Sequence, residues 1–148
     1  MYGLALVQVL AALPAGFEAL REAARHEGYR HLDRLANDWA SGAIRFDRPG
    51  EALLAARIDD ALAGIGGMTL EPDLPGALRM RRFHVDPAHR RRGIATALAQ
   101  ALLDRATANG APVTVNAPGE AARPFWEHLG FRPVTGARYT HILTRPAL

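Results

Sequence analysis

The spacing of apolar residues separates a strand from two helices in the first third of the chain. The segment from Tyr2 to Leu10 is almost continuously apolar, and a Pro-Ala-Gly break follows it, which predicts a first strand. From Phe17 to Trp39 apolar residues recur every three or four positions, a period typical of amphipathic helices. Gly28 interrupts this pattern and Gly42 ends it, so the segment is expected to form two helices.

The middle of the chain predicts the centre of a sheet. Three short apolar segments cover residues 52–58, 62–70 and 77–85. Two aspartates separate the first pair, and a Pro-Asp-Leu-Pro-Gly turn at 72–76 separates the second. Short apolar segments joined by such turns predict an antiparallel meander.

The last third of the chain alternates helical and strand patterns. The predicted elements are a helix from Gly93 to the Asn109-Gly110 stop, a strand over 112–115, a helix over 120–129 ended by Gly130, and strands over 131–134 and 139–144. The order βααβββαβαββ indicates an α/β or α+β fold with a mixed central sheet. The strands on either side of the Gly93 helix are expected to be parallel, joined by a right-handed crossover.

Composition favours one domain spanning residues 1–148. The 148 residues contain no Cys and 49% hydrophobic residues, enough to bury a core without disulfides or a structural metal. Short, interrupted apolar runs and the lack of a charged-then-apolar leader at Met1 predict neither a membrane span nor a secretory signal, hence a cytoplasmic location. All 18 basic residues are Arg, and with 15 acidic residues the net charge is only +3.

The segment from Val85 to Thr96 (VDPAHRRRGIAT) carries the clearest candidate chemistry. A predicted strand ends at Val85 and a predicted helix begins at Gly93. Free N–H groups in the first turn of a helix favour an anion, and Gly93 and Ala95 leave room for it to approach. Residues 90–92 are three consecutive arginines that would supply countercharge, so this segment predicts a phosphate site. The alternative is a solvated basic loop in which Gly93 is only a turn residue.

Three features resemble one protein family. Residues 90–95 (RRRGIA) resemble the (Q/R)-x-x-G-x-(G/A) motif of the GNAT superfamily of acyl-CoA-dependent N-acetyltransferases and match every specified position. Residues 78–85 resemble the family's fourth strand, and residues 125–131 (FWEHLGF) resemble its late helix-to-strand segment. The predicted element order is also the family's order over essentially the whole chain.

The resemblance implies an N-acetyltransferase whose acyl donor, acetyl-CoA, lies where the fourth and fifth strands of the mixed sheet splay apart. An amine of a small molecule or peptide would attack the thioester directly, without a metal, and a homodimer is common in the family. Backbone groups of residues 83–85 would pair with the pantetheine. The implied acetyl-CoA-binding residues are Phe83, His84, Val85, Arg90, Arg91, Arg92, Gly93, Ile94, Ala95, Thr96, Asn116 and Trp126.

The chain departs from the family at positions that carry the chemistry. Arg79 stands where many members place a general-base Glu, and a guanidinium cannot accept a proton. His84, Glu71 and His141 are candidate bases, each with a structural role as the alternative; a water chain or an acceptor amine that arrives neutral are further options. Trp126 stands where many members place a general-acid Tyr, and an indole N–H can donate a hydrogen bond but cannot protonate a thiolate.

The acceptor pocket is expected around the segment that follows the second predicted helix. Trp39 and Phe46 are candidates to shape it, with core packing as the alternative for Trp39, and Arg79 is a candidate to hold a carboxylate of the acceptor. Two other functions stay open. A non-catalytic acyl-CoA-binding sensor is favoured by the departures at Arg79 and Trp126. A nucleic-acid-binding domain is disfavoured, because the arginines gather near one helix start instead of spreading over a face with aromatic residues between them.

Overall fold

Seven strands form one mixed sheet in the computed structural model, which describes residues 3–117 and 119–144. The strands are β1 (Leu4–Gln8), β2 (Ala52–Ile58), β3 (Ala61–Leu70), β4 (Leu78–Val85), β5 (Val113–Val115), β6 (Arg132–Pro133) and β7 (His141–Leu143). Their order across the sheet is β1-β2-β3-β4-β5-β7-β6. Neighbours are antiparallel except β4 and β5, which are parallel, as the crossover rule predicted.

Four α-helices connect these strands. They are α1 (Phe17–His26), α2 (His31–Ser41), α3 (Ile94–Ala108) and α4 (Arg123–His128). The element order confirms the predicted βααβββαβαββ fold, apart from a short 3-10 helix over Pro87–His89. None of the helices within the described ranges has the length and hydropathy needed to cross a membrane.

The predicted boundaries are least accurate near the two ends of the chain. β1 is shorter than the predicted strand, whose first residue, Tyr2, lies outside the described residues. β6 and β7 are also shorter than predicted. α4 begins at Arg123 instead of residue 120, because Pro124 takes an early position in the helix, where its fixed φ and missing N–H are tolerated.

Two hydrophobic clusters cover the two faces of the sheet. α3 and α4 pack on one face, where Met68 and Met80 belong to the cluster, and α1 and α2 pack on the other, where Ile65 does. Trp39 and Phe46 belong to the α1/α2 cluster, with 7% and 4% of their surface exposed. They are therefore core residues, the alternative stated for Trp39 above.

β4 has a bulge on one edge and a free segment on the other. Its pairing with β3 shifts register between Ile65 and Gly67 of β3. Opposite this shift, Arg82 of β4 has a φ of 64°, in the left-handed region. β5 pairs only with residues 78–80, so residues 81–85 have no strand partner on that side within the described part of the chain. This gap, the β4–β5 cleft, is the predicted splay between the fourth and fifth strands.

Candidate functional site

The start of α3 lies at one end of the β4–β5 cleft. Arg91 and Gly93 both have positive φ values, 65° and 75°, so the loop turns sharply into the helix. The first helical hydrogen bond runs from the Ala97 N–H to the Gly93 carbonyl at 2.9 Å, so the N–H groups of residues 94–96 have no partner within the helix. A pocket of about 350 Å³ opens over these N–H groups. It is lined by Val85, His89, Arg90, Arg91, Gly93, Ile94, Ala95 and Thr96.

The geometry at this pocket suits an anion. A Cβ built on Gly93 meets no other atom within 4 Å, so the space over its peptide group is open. Unpartnered N–H groups and the positive end of the helix dipole point into that space. The structure therefore brings together residues 90–96, which the sequence predicted as a phosphate site.

The arginines of this loop differ in their contacts. Arg90 donates from both terminal nitrogens to the two carboxylate oxygens of Glu27, at 2.6 and 2.7 Å, and from Nε to the Val85 carbonyl at 3.2 Å. This pair lowers the pKa of Glu27 and raises the pKa of Arg90. Arg91 lines the pocket and makes no ion pair with the described residues. Arg90 thus ties α1 to the loop, while Arg91 is available to a ligand.

The free edge of β4 presents backbone groups along the cleft. The Asp86 N–H donates to the Ala63 carbonyl at 2.8 Å, and His84 pairs with Ile65, so the peptide groups of Asp86 and His84 face β3. Because successive peptide groups alternate in direction, the Phe83 carbonyl and the N–H and carbonyl of Val85 face the cleft. Such an edge can accept an extended ligand as an added strand.

Side chains already contact the two carbonyl oxygens on this edge. Nε2 of His31, at the start of α2, donates a hydrogen bond to the Phe83 carbonyl oxygen at 2.9 Å. Arg90 donates to the Val85 carbonyl, as described above. Each carbonyl keeps a second lone pair, so these contacts leave the edge able to pair with a ligand.

Asn116 and Trp126 lie on the β5 side of the cleft. Asn116 is exposed directly after the end of β5. Trp126 is 6% exposed and packs edge-on against Phe83, with ring centroids 5.1 Å apart. The Phe83 ring fits there because residue 66 is glycine: a Cβ at Gly66 would lie 2.8 Å from it. Trp126 therefore joins α4 to β4 on the α3 side of the sheet.

The candidate base His84 is buried beside the loop that carries Arg90. Its side chain is 4% exposed, and Nε2 lies 3.5 Å from Oε1 of Glu27 without a hydrogen-bond partner. Burial, followed by repulsion from His31, lowers the pKa of His84 to about 4. His84 is therefore neutral near neutral pH.

The other two candidate bases are held by hydrogen bonds to neighbouring residues. Glu71 accepts from the Thr114 hydroxyl at 2.8 Å and from the Asp73 N–H at 2.9 Å. His141 is fully buried, with Nε2 2.8 Å from Glu127 and Nδ1 2.8 Å from the Thr140 hydroxyl oxygen. These contacts favour the structural alternatives for both residues. No group of three or more His, Asp or Glu side chains in the described part of the chain is arranged to hold a metal ion.

The structure adds His31 and Tyr29 to this region, which the sequence did not single out. The rings of His31 and His84 are 5.1 Å apart, and Tyr29 packs edge-on against both. Burial, together with the positive charges of Arg82 and Arg34, lowers the pKa of His31. The only sequence signal was the Gly28 break before Tyr29, because the contact with β4 joins residues 52 positions apart.

A second cavity, of about 440 Å³, lies on the α1/α2 side of the sheet, between the loop after α2 and the turn between β3 and β4. Arg45 lines it and stacks on the buried ring of Trp39, with 5.1 Å between the guanidinium carbon and the ring centroid. Trp39 and Phe46 do not line this cavity. The side chains of Trp39 and Phe46 therefore do not form the surface of this cavity. They are buried in the core behind it, and neighbouring residues such as Arg45 and Asp47 form its surface.

Comparison with protein families gives one match over most of the chain. The model of the Acetyltransferase (GNAT) family matches residues 14–131, which include β4, the arginine loop, α3 and α4. No curated protein matches the chain significantly.

Solved structures share the fold over nearly the whole chain. A protein of Exiguobacterium sp. 255-15, provisionally assigned as an acetyltransferase, superimposes with a TM-score of 0.85 at 24% identity, covering 96% of this chain and 93% of that chain. A GNAT family acetyltransferase from Brucella melitensis in complex with acetyl-CoA gives 0.67 at 16% identity, covering 100% and 92%. A GNAT family N-acetyltransferase from Escherichia coli in complex with CoA gives 0.68 at 14% identity, covering 97% and 82%.

Proposed function

Because the chain belongs to the acetyltransferase (GNAT) family, we propose that it transfers an acetyl group from acetyl-CoA to a primary amine of a small molecule or peptide. The observation that carries this proposal is the continuity of two surfaces. The unpartnered N–H groups at the start of α3 lie at one end of the cleft, and the free edge of β4 runs from there towards the middle of the sheet.

Acetyl-CoA fits this arrangement as a two-part ligand. The diphosphate would accept hydrogen bonds from the N–H groups of residues 94–96, with countercharge from Arg91 and Arg92. The pantetheine would pair with Phe83 and Val85, and Asn116 would contact it from the β5 side. The complexes of the Brucella protein with acetyl-CoA and of the Escherichia protein with CoA support this reading.

The acetyl transfer is a direct displacement. The amine nitrogen forms a bond to the thioester carbonyl carbon, the carbon–sulfur bond breaks, and CoA leaves as the thiolate. The nitrogen loses one proton to become the amide, and that proton passes to the thiolate directly or through water. The chain contains no Cys, so no protein thiol carries the acetyl group. We assign the Phe83 N–H, which directly follows the bulge at Arg82, to donate to the developing oxyanion, while the β4 edge holds the thioester in position.

We assign His31 to accept a proton from the ammonium group of the acceptor, which leaves the neutral amine that attacks. The lowered pKa of His31 keeps the imidazole neutral near neutral pH. Nε2 donates to the Phe83 carbonyl, so Nδ1 carries the lone pair that can take a proton. Arg79 cannot accept a proton, and Glu71 and His141 are held in other contacts, as described above.

Acetyl-CoA binding at α3 is tested by Gly93→Glu. The variant places a carboxylate over the N–H groups where the diphosphate would lie, so calorimetry is expected to show at least a hundredfold weaker acetyl-CoA binding. Gly136→Glu is the matched control, because Gly136 also has a positive φ, 78°, and open space around its Cα. Equal affinities for the two folded variants would contradict the proposal.

A non-catalytic acyl-CoA sensor is the second candidate. It is favoured by Arg79 at the position of the general base and by the burial of Trp126, at the position of the general acid, in the aromatic cluster. A panel of amines, amino acids and peptides, followed by release of free CoA, separates the two functions. Tight acetyl-CoA binding without CoA release from any acceptor would favour the sensor.

A further inference from the structure

Two arginines on one face of β4 have no partner for their charge. Arg79 and Arg81 are partly buried, and the Nε atom of each is buried without a hydrogen-bond acceptor. Neither guanidinium forms an ion pair with any residue that the structure describes. A buried donor without an acceptor is unfavourable, so an anion that accepts hydrogen bonds from both side chains would be stabilising.

A buried hydroxyl lies next to them on the same face. Thr69 pairs directly with Arg79 across β3 and β4, and it is 3% exposed. Its hydroxyl oxygen is buried without a hydrogen-bond partner. Thr69 also lines the second cavity. Arg81 lines the same cavity two residues further along β4. The unsatisfied groups of Thr69 and Arg81 therefore share one wall of the cavity, and Arg79 lies beside Thr69 on the neighbouring strand.

Two carboxylates around the cavity are held by other groups, and a third, Asp47, forms no ion pair with either arginine within the described residues. Glu51 accepts from the backbone N–H groups of Arg48 and Leu70, at 3.2 and 2.9 Å. Glu71 accepts from Thr114 and Asp73, as described above. Burial, followed by repulsion from Arg82 and Arg79, lowers the pKa of Arg81 to about 10, and these effects outweigh the attraction of Asp38 and Glu51.

We propose that Arg79, Arg81 and Thr69 form a binding site for a carboxylate group of the acceptor. The acceptor is then an amine that also carries a carboxylate, such as an amino acid or a derivative of one. A carboxylate has two oxygens, each with two acceptor positions, so it can accept from both guanidinium groups and from the Thr69 hydroxyl. This inference rests on the proposed acetyl transfer and specifies its substrate class.

The position of this site along β4 fits the reaction. Arg81 is two residues before Phe83, whose N–H is the proposed oxyanion donor, and two residues of a strand span about 7 Å. An acceptor with its carboxylate at Arg81 therefore places an amine a few bonds away beside the thioester. Polyamines lack the carboxylate and would leave the arginines unpaired.

Matched acceptors test the substrate class. The probes are an amino acid, its amide and its decarboxylated amine, each assayed for CoA release. The amino acid is expected to have a kcat/KM at least about tenfold higher than either analogue, which is the size of effect that a hydrogen bond between charged groups produces. If CoA is released equally fast with the amide or fastest with a polyamine, this inference is wrong while acetyl transfer stands.

Variants of the arginines test the site itself. Arg81→Met and Arg79→Met are expected to raise KM for the amino acid about ten- to hundredfold, with little effect on kcat and none on the amide. Thr69→Val removes the hydroxyl and is expected to raise KM by less. Arg132→Met, on the exposed edge strand β6, is the control and should change neither acceptor. Equal losses for the amino acid and the amide would show a structural role instead.

A direct measurement keeps the inference testable if no acceptor is turned over. NMR spectra of the protein are recorded during titration with an N-acetylated amino acid and, separately, with its amide. The Nε–H signals of Arg79 and Arg81 are expected to shift with the carboxylate and not with the amide. The absence of any shift at millimolar concentration would overturn the site, whereas a shift without turnover would reject only catalysis.

Discussion

His31 and His84 show how one pair of buried side chains determines the charge of the site. Both imidazoles have lowered pKa values, chiefly because burial disfavours the charged form. Glu27, Arg90, Asp86 and Tyr29 also face His84, but the attraction of the carboxylates is smaller than the effect of burial. His84 is therefore expected to stay neutral in the folded protein down to mildly acidic pH.

Stability should consequently fall as the pH is lowered from about 6.5 to about 4. Over this range the unfolded chain binds a proton at His84 that the folded chain does not, so unfolding is favoured as the pH falls. Chemical denaturation at pH 7 and pH 4.5 measures the loss. His84→Phe, which removes the unpartnered Nε2, should reduce this loss by about 1–3 kcal/mol. An unchanged pH dependence in that variant would show that His84 is not the cause.

The proposed role of His31 predicts a loss of turnover and not of donor binding. His31→Gln keeps a group that can donate to the Phe83 carbonyl but cannot accept a proton near neutral pH. We expect kcat to fall about a hundredfold or more, with the acidic limb of the pH profile lost and acetyl-CoA affinity nearly unchanged. His26→Gln, exposed at the end of α1, is the control. A normal pH profile in His31→Gln would assign the proton transfer to another group.

At the scale of single elements, β4 shows which features of a strand its own sequence predicts and which depend on its neighbours. Its extent was close to prediction because alternating apolar residues mark a strand locally. The bulge at Arg82 was not predicted, and the separation of β4 from β5 was expected only from the family resemblance, because both depend on which strands lie alongside. The shortness of β6 and β7 has the same origin, since a strand ends where its partner ends.

Substitution of Gly66 or Gly67, two adjacent glycines in β3, tests how β4 is positioned. Gly66→Ala would place a Cβ 2.8 Å from the Phe83 ring and is expected to cost about 1–3 kcal/mol of stability. Because Phe83 forms the cleft edge, acetyl-CoA affinity should also fall, by about tenfold if about 1.4 kcal/mol of binding energy is lost.

Gly67→Ala is the matched control on the opposite face of the same strand. Its Cβ would lie 2.5 Å from the Phe46 ring, so a loss of stability is expected there too. The folded variant should bind acetyl-CoA normally, because Phe46 lies in the α1/α2 core. Denaturation and calorimetry on both variants provide the comparison. Equal losses of affinity would mean that core strain, and not the position of Phe83, controls binding.

At the scale of the whole molecule, the site joins parts of the chain that are far apart in sequence. Arg90 contacts Glu27 over a separation of 63 residues, and His31 contacts Phe83 over 52. The sequence predicted the phosphate site, because its residues are contiguous from Arg90 to Thr96. It did not predict His31 or the pairing of Thr69 with Arg79, because such contacts exist only once the sheet and helices are packed together.

The closed end of the β4–β5 cleft limits how far an extended ligand can reach along β4. Pairing between the two strands stops at Met80 and Val115, and the free edge extends from there over residues 81–85 to the start of α3. Five residues of a strand span about 17 Å, so a linear arm anchored at the helix can advance only that far before it meets paired backbone. A donor whose arm is longer or shorter by one methylene would remain anchored by its diphosphate. Its acyl carbon would then lie too far along the cleft, or not far enough, to meet the acceptor amine. Under the proposed function, selection by arm length would follow from where the two strands separate, independently of any side chain that recognises the acyl group.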